Sequence, residues 1–192
     1  MQLVKLKQLA DLKNKHKETT SKFEEIWSQK KNEIIEQSRN EFKNFFADTE
    51  FEIKELGEKV EATYDSIEIY LTNSKTKPGI KAGLYYLTFE ITIDMDEPQD
   101  IIYKIPVDKY NNDPILKKKF RVRQYCSDDL TGKIKKIEQS ITEIENMIED
   151  FQTVELGYSL IQDTTSSKNI LETKQLSLNY DNFTAVLTDI FN

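Results

Sequence analysis

Lys117, Lys118, Lys119, Arg121 and Arg123 place five cations within seven residues, and Tyr125 follows closely. Cations at that density neutralise phosphates, and a neighbouring tyrosine can stack on a base. The stretch is therefore a candidate contact for nucleic acid or for an acidic protein. A structural role competes with it, because the same charges would offset acidic segments beside them. The chain as a whole has a net charge of -7, whereas domains that bind nucleic acid are usually basic. Neutralisation is the favoured reading of the stretch.

Two carboxylate groupings could hold a cation. Asp48, Glu52 and Lys54 resemble an acidic pair with a lysine, which would need both acids to converge on one metal. Glu-x-Lys is common in so charged a chain, so an incidental surface grouping is favoured. Asp94, Asp96, Glu97 and Asp100 offer hard oxygen ligands for Mg²⁺ or Ca²⁺. Pro98 and Gln99 stand where an EF-hand needs a ligand and a glycine, and a solvated turn is the better reading.

His16 is the only histidine and Cys126 the only cysteine. One histidine cannot share a metal with another, and 110 residues separate it from the lone thiol. His16 is best read as a polar residue that sets helix register. Cys126 is best read as an incidental thiol, and no internal disulfide is possible. The five glycines are scattered and build no phosphate-binding loop. No catalytic residue, metal ligand or cofactor is assigned, and the chain is not expected to be an enzyme.

The elements that would carry these residues begin with two helices. Proline and glycine are absent from residues 1–56. Leu9, Leu12, His16, Thr19, Phe23 and Ile26 keep a three-four spacing, which drifts to Trp27, Ile34, Ser38, Phe42 and Phe45. This predicts one helix ending near Ala47, about 70 Å long if unbroken. Its first half carries a thin, polar-interrupted seam and its second half a broad aromatic face. The second helix is predicted over residues 129–152. Leu130, Ile134, Ile137, Ile141, Ile144, Ile148 and Phe151 form a strict heptad seam, and Ser127-Asp128-Asp129 supply a cap. The two helices are expected to form an antiparallel, coiled-coil-like pair. An Ile-rich seam could instead join a second chain as a homo-oligomer, such as a dimer.

Alternating apolar residues predict seven strands around Phe51–Ile53, Val60–Tyr64, Ile67–Leu71, Tyr85–Ile93, Ile101–Val107, Val154–Leu160 and Leu176–Tyr180. Short connections make these an antiparallel meander with one buried face. Pro106 has no N–H for a ladder, so its strand is expected at an edge, or to end there. Asp113-Pro114 predicts a short helix that would carry the basic stretch. Asp181 is expected to cap a closing helix with Phe183, Val186, Leu187 and Ile190 on one face.

The fold class is thus α+β, divided into a helical arm over residues 1–47 and an α+β head over 48–192. The head would include the heptad helix. Charge is blocked along the chain. Residues 1–46 have ten basic and seven acidic groups, and 115–137 have eight and two. Residues 47–114 have seven and fifteen, and 138–192 have two and ten. The first residues resemble no signal peptide and no run is long enough to span a membrane. A cytoplasmic protein with no membrane role is expected. The Lys, Asn and Ile bias suggests an AT-rich genome, as for a bacterial or phage accessory protein. The function these features suggest is protein binding, as an adaptor, assembly factor or inhibitor. A nucleic-acid-associated protein, or an acidic inhibitor that imitates nucleic acid, is the alternative.

Overall fold

In the computed structural model, residues 2–73, 87–95, 100–109, 129–153, 156–163 and 173–191 are described. They form three helices and a seven-stranded antiparallel sheet in an α+β arrangement. The chain divides into two compact units. Helix α1 (Gln2–Ala47) gives residues 2–30 to the first unit and 31–47 to the second. Helix α2 (Leu130–Thr153) belongs to the first unit, and the sheet to the second. This partition differs from the expected boundary at residue 47, because the heptad helix groups with the first half of α1.

The first unit is a helix pair. Asp129 caps α2, its Oδ1 accepting the Gly132 N–H at 2.7 Å. That is the cap expected from the aspartates before the heptads. The direction of pairing corrects the sequence expectation. Lys5 meets Thr131, Gln8 meets Glu138, Lys15 meets Glu145 and Trp27 meets Phe151. Residue numbers rise together on both helices, so the pair is parallel, not antiparallel. An a/d seam presents the same apolar spacing in either direction and cannot by itself specify which is used.

The second unit is built on a meander in the order β1-β2-β3-β4-β5-β6-β7. Its strands are β1 (Glu52–Leu56), β2 (Lys59–Tyr64), β3 (Ile67–Asn73), β4 (Leu87–Asp94), β5 (Ile101–Lys109), β6 (Leu156–Asp163) and β7 (Thr173–Tyr180). Two-residue turns join β1 to β2 and β2 to β3. Gly57 and Asp65 take positive φ there, at 63° and 53°, as tight hairpin turns require. Alternation places Val60, Leu71, Phe89, Ile91, Ile105 and Leu160 in one buried layer. Phe42 and Phe46 of α1 cover it, with Phe183, Val186 and Leu187 of α3 (Phe183–Phe191).

Two expectations about the sheet need correction. Pro106 lies in β5, which pairs with both β4 and β6 and is no edge. The β5–β6 ladder runs through Lys104↔Ile161 and resumes at Val107↔Tyr158, skipping Pro106. The next ladder shifts register between Ser159 and Leu160, beside that gap. A local irregularity therefore accommodates the missing N–H. Asp181 is not the cap of α3: Asn182 Oδ1 accepts the Ala185 N–H at 2.8 Å.

Specific polar contacts fasten α1 within the second unit. Ser38, fully buried, shares a 3.2 Å hydrogen bond with the Tyr158 hydroxyl. Glu41 Oε2 accepts both the Thr184 N–H at 2.6 Å and the Thr184 hydroxyl at 3.0 Å, completing the start of α3. Lys43 donates to Glu55 at 2.6 Å, and Arg39 donates to the Gly57 carbonyl at 2.9 Å. The Lys43 hydrogen bond, then its charge, hold the Glu55 carboxyl below the usual carboxylate range. Thr49 ends α1, donating its N–H and hydroxyl to the Phe46 carbonyl.

Phe42→Ala empties fully buried core and should cost about 3–5 kcal/mol in denaturant unfolding. Tyr158→Phe leaves the buried Ser38 hydroxyl without its partner and should cost about 1–3 kcal/mol in the same assay. Burial raises the Tyr158 and Tyr103 hydroxyls above their ordinary value. Burial and the Asp189 carboxylate, 2.6 Å away, push Tyr180 up to about 12. The unfolded chain then loses these protons first as pH rises. The stabilisation is complete below the unfolded tyrosine pKa of about 10 and is lost as pH rises through the folded values. Tyr180→Phe should flatten the fall in thermal midpoint between pH 10 and about 12. An unchanged slope would refute the assignment.

Candidate interaction surface

The helix pair carries the seam residues singled out from the sequence. Ile134, Ile141, Ile144, Ile148 and Phe151 are buried, and Leu130 and Ile137 are half-buried. Met147 joins them, and Phe23 and Trp27 are their buried counterparts on α1. Trp27 meets Phe151 edge-on, with ring centroids 5.3 Å apart. Five of the seven seam residues of α2 are therefore buried within one chain.

Toward the start of α1 the seam becomes polar. His16 Nε2 lies 2.9 Å from the Ser140 hydroxyl, a hydrogen bond across the pair. Lys5 Nζ donates to the Thr131 hydroxyl at 2.9 Å. Thr19 and Thr20 donate to carbonyls of their own helix, at Lys15 and His16. Cross-helix hydrogen bonds fix register more than they stabilise, since a slip by one turn would break them. The Lys15–Glu145 ion pair at 3.0 Å is exposed on both sides, so it contributes only about 0–1 kcal/mol.

Past this polar section, apolar side chains turn to solvent. Leu3, Val4 and Leu6 are 82%, 72% and 52% exposed. The seam positions nearest them, Lys5 and Leu9, are half-buried. The heptad pattern runs through positions 5, 9, 12 and 16, so it assigns Leu3, Val4 and Leu6 no partner. Their signal in the sequence was three large apolar residues off that pattern.

The other sequence candidates are distributed differently. Lys117, Lys118, Lys119, Arg121, Arg123, Tyr125 and Cys126 lie outside the described residues, as do Asp96 and Glu97. The short helix expected after Asp113 lies outside them as well. Glu52 pairs with Lys54 at 3.2 Å on the surface, and Asp48 is exposed. Among the described residues no three His, Cys, Asp or Glu side chains come together to hold a metal. No described helix is long and apolar enough to cross a membrane. Comparison with protein-family models, with curated proteins and with solved structures finds no match.

Spin labels at Gln8 and Glu138, in a Cys126→Ser background, should give a short distance by pulsed dipolar spectroscopy. Labels at Gln8 and Gln152 should lie farther apart by about 10 Å or more, because 1.5 Å of rise per residue moves Gln152 about 20 Å along the axis. The reverse ranking would mean an antiparallel pair.

Proposed function

We propose that this chain is a non-enzymatic interaction protein, an adaptor, assembly factor or inhibitor. It binds a protein partner through the first turns of α1. The observation that supports this reading is the exposure of Leu3, Val4 and Leu6, which lie off the seam that faces α2. Contiguous apolar side chains in water mark contact surfaces, and their burial is favourable by about 25 cal/mol per Å². The exposed Lys7 follows them, so the partner surface combines an apolar groove with an acidic group at its rim. Direct contact with nucleic acid would favour cations and stacking side chains at that position over branched aliphatics.

The test is site-specific photocrosslinking from position 3 in cells that express the chain, followed by identification of the adduct. A discrete protein adduct should form, and Leu6→Glu should reduce it about tenfold or more. Thermal stability should hold, because Leu6 is exposed. Oligonucleotide anisotropy is the counter-test. Binding that falls steeply with salt, in wild type and Leu6→Glu alike, would replace this reading with the nucleic-acid one.

A further inference from the structure

The buried layer of the second unit continues past the helices that cover it. Phe46 and Phe191 lie at the ends of α1 and α3, with ring centroids 5.4 Å apart. From Phe46 the rings run outward to Phe51 at 5.2 Å, and from Phe51 to Tyr64 at 5.5 Å. Tyr64 pairs across the β2–β3 turn with Ile67, and Met95 follows β4 directly, one residue past the Glu68↔Asp94 pair. Alternation points Tyr64 and Ile67 toward the covered face, and Phe51 and Met95 keep the same parity just outside β1 and β4. Yet Tyr64 is 44% exposed and Met95 38% exposed, because α1 has ended at Ala47 and α3 at Phe191. The result is an aromatic and methionine margin open to water at one end of the sheet. Aromatic and methionine side chains are enriched where proteins bind one another.

Among the described residues, the charged side chains nearest the margin are carboxylates. Asp48 and Glu50 lie between α1 and β1, and Asp65 lies in the β2–β3 turn. Asp100 precedes β5. The described segments that meet here are 46–53, 62–69, 92–95, 100–103 and 187–191. They contain no lysine or arginine. Like charges around an uncovered apolar patch weaken self-association and raise the local concentration of cations. A second copy presenting the same end would meet its own charge. Among the described residues these carboxylates do not gather into a metal site.

We infer that this end of the sheet docks a basic protein segment. Such a segment sets an apolar side chain against Tyr64 and Met95 and lays its lysines or arginines along the carboxylates. This contact is separate from the one proposed at the start of α1, and the two can fail independently.

Anisotropy of a labelled 12-residue Lys/Leu peptide, titrated with the full chain, tests this. A Lys/Ser peptide of equal charge is the control. The Lys/Leu peptide should bind at 50 mM salt and weaken about tenfold by 300 mM. Tyr64→Ser with Met95→Ser should weaken it about tenfold. Asp48→Asn, Glu50→Gln and Asp65→Asn together should weaken it at least fivefold, and these exposed neutralisations spare the core. Leu6→Glu should leave binding unchanged. Absence of binding at 50 mM salt would overturn the inference. So would equal binding of the Lys/Ser peptide, which would reduce it to counterion attraction. A wild-type dimer in sedimentation that Tyr64→Ser dissolves would assign the margin to a second copy instead, and would also overturn it.

Discussion

A seven-stranded antiparallel meander with one apolar face cannot stand in water without a cover. That constraint governs the second unit. Val60, Leu71, Phe89, Ile91, Ile105 and Leu160 form a continuous buried layer, and Ile34, Phe42 and Phe46 of α1 and the apolar face of α3 lie over it. The polar contacts of α1 follow from the same need. Ser38 on Tyr158, Glu41 at the start of α3, and Lys43 with Arg39 at the β1–β2 hairpin each fix one part of the cover. Apolar packing supplies the free energy but little direction, and these bonds supply the direction.

The helix pair meets a similar constraint with fewer apolar groups. Phe23, Trp27 and the isoleucines of α2 bury well, but the earlier part of the seam relies on His16–Ser140 and Lys5–Thr131. A seam of this kind trades strength for register. Apolar residues that neither core uses are thereby left at the surface, at Leu3, Val4 and Leu6 in one unit and at Tyr64 and Met95 in the other. Their surroundings differ in sign, with lysines beside the first group and carboxylates beside the second.

Much of this architecture follows from local pattern. Period-two alternation marks strands such as β2 and β3, whose buried residues fall on one face. The three-four spacing marks both long helices, and Asp129 and Thr49 sit close to where those helices begin and end. These features depend on near neighbours in the chain, so they are written in its sequence.

Direction and partnership depend on residues far apart, and only the tertiary structure decided them. The heptad seam reads the same both ways, and the parallel pairing of α1 with α2 emerges only from contacts such as Gln8–Glu138. Pro106 argued locally for an edge, yet an irregularity in two neighbouring ladders lets it sit between strands. The cap of α3 moved from Asp181 to Asn182, with Glu41 assisting from a position 143 residues away. Tyr64 alternates as a core residue and is nevertheless exposed, because burial depends on where a covering helix stops. Local chemistry sets which face of each element is apolar; the three-dimensional packing sets what, if anything, covers it.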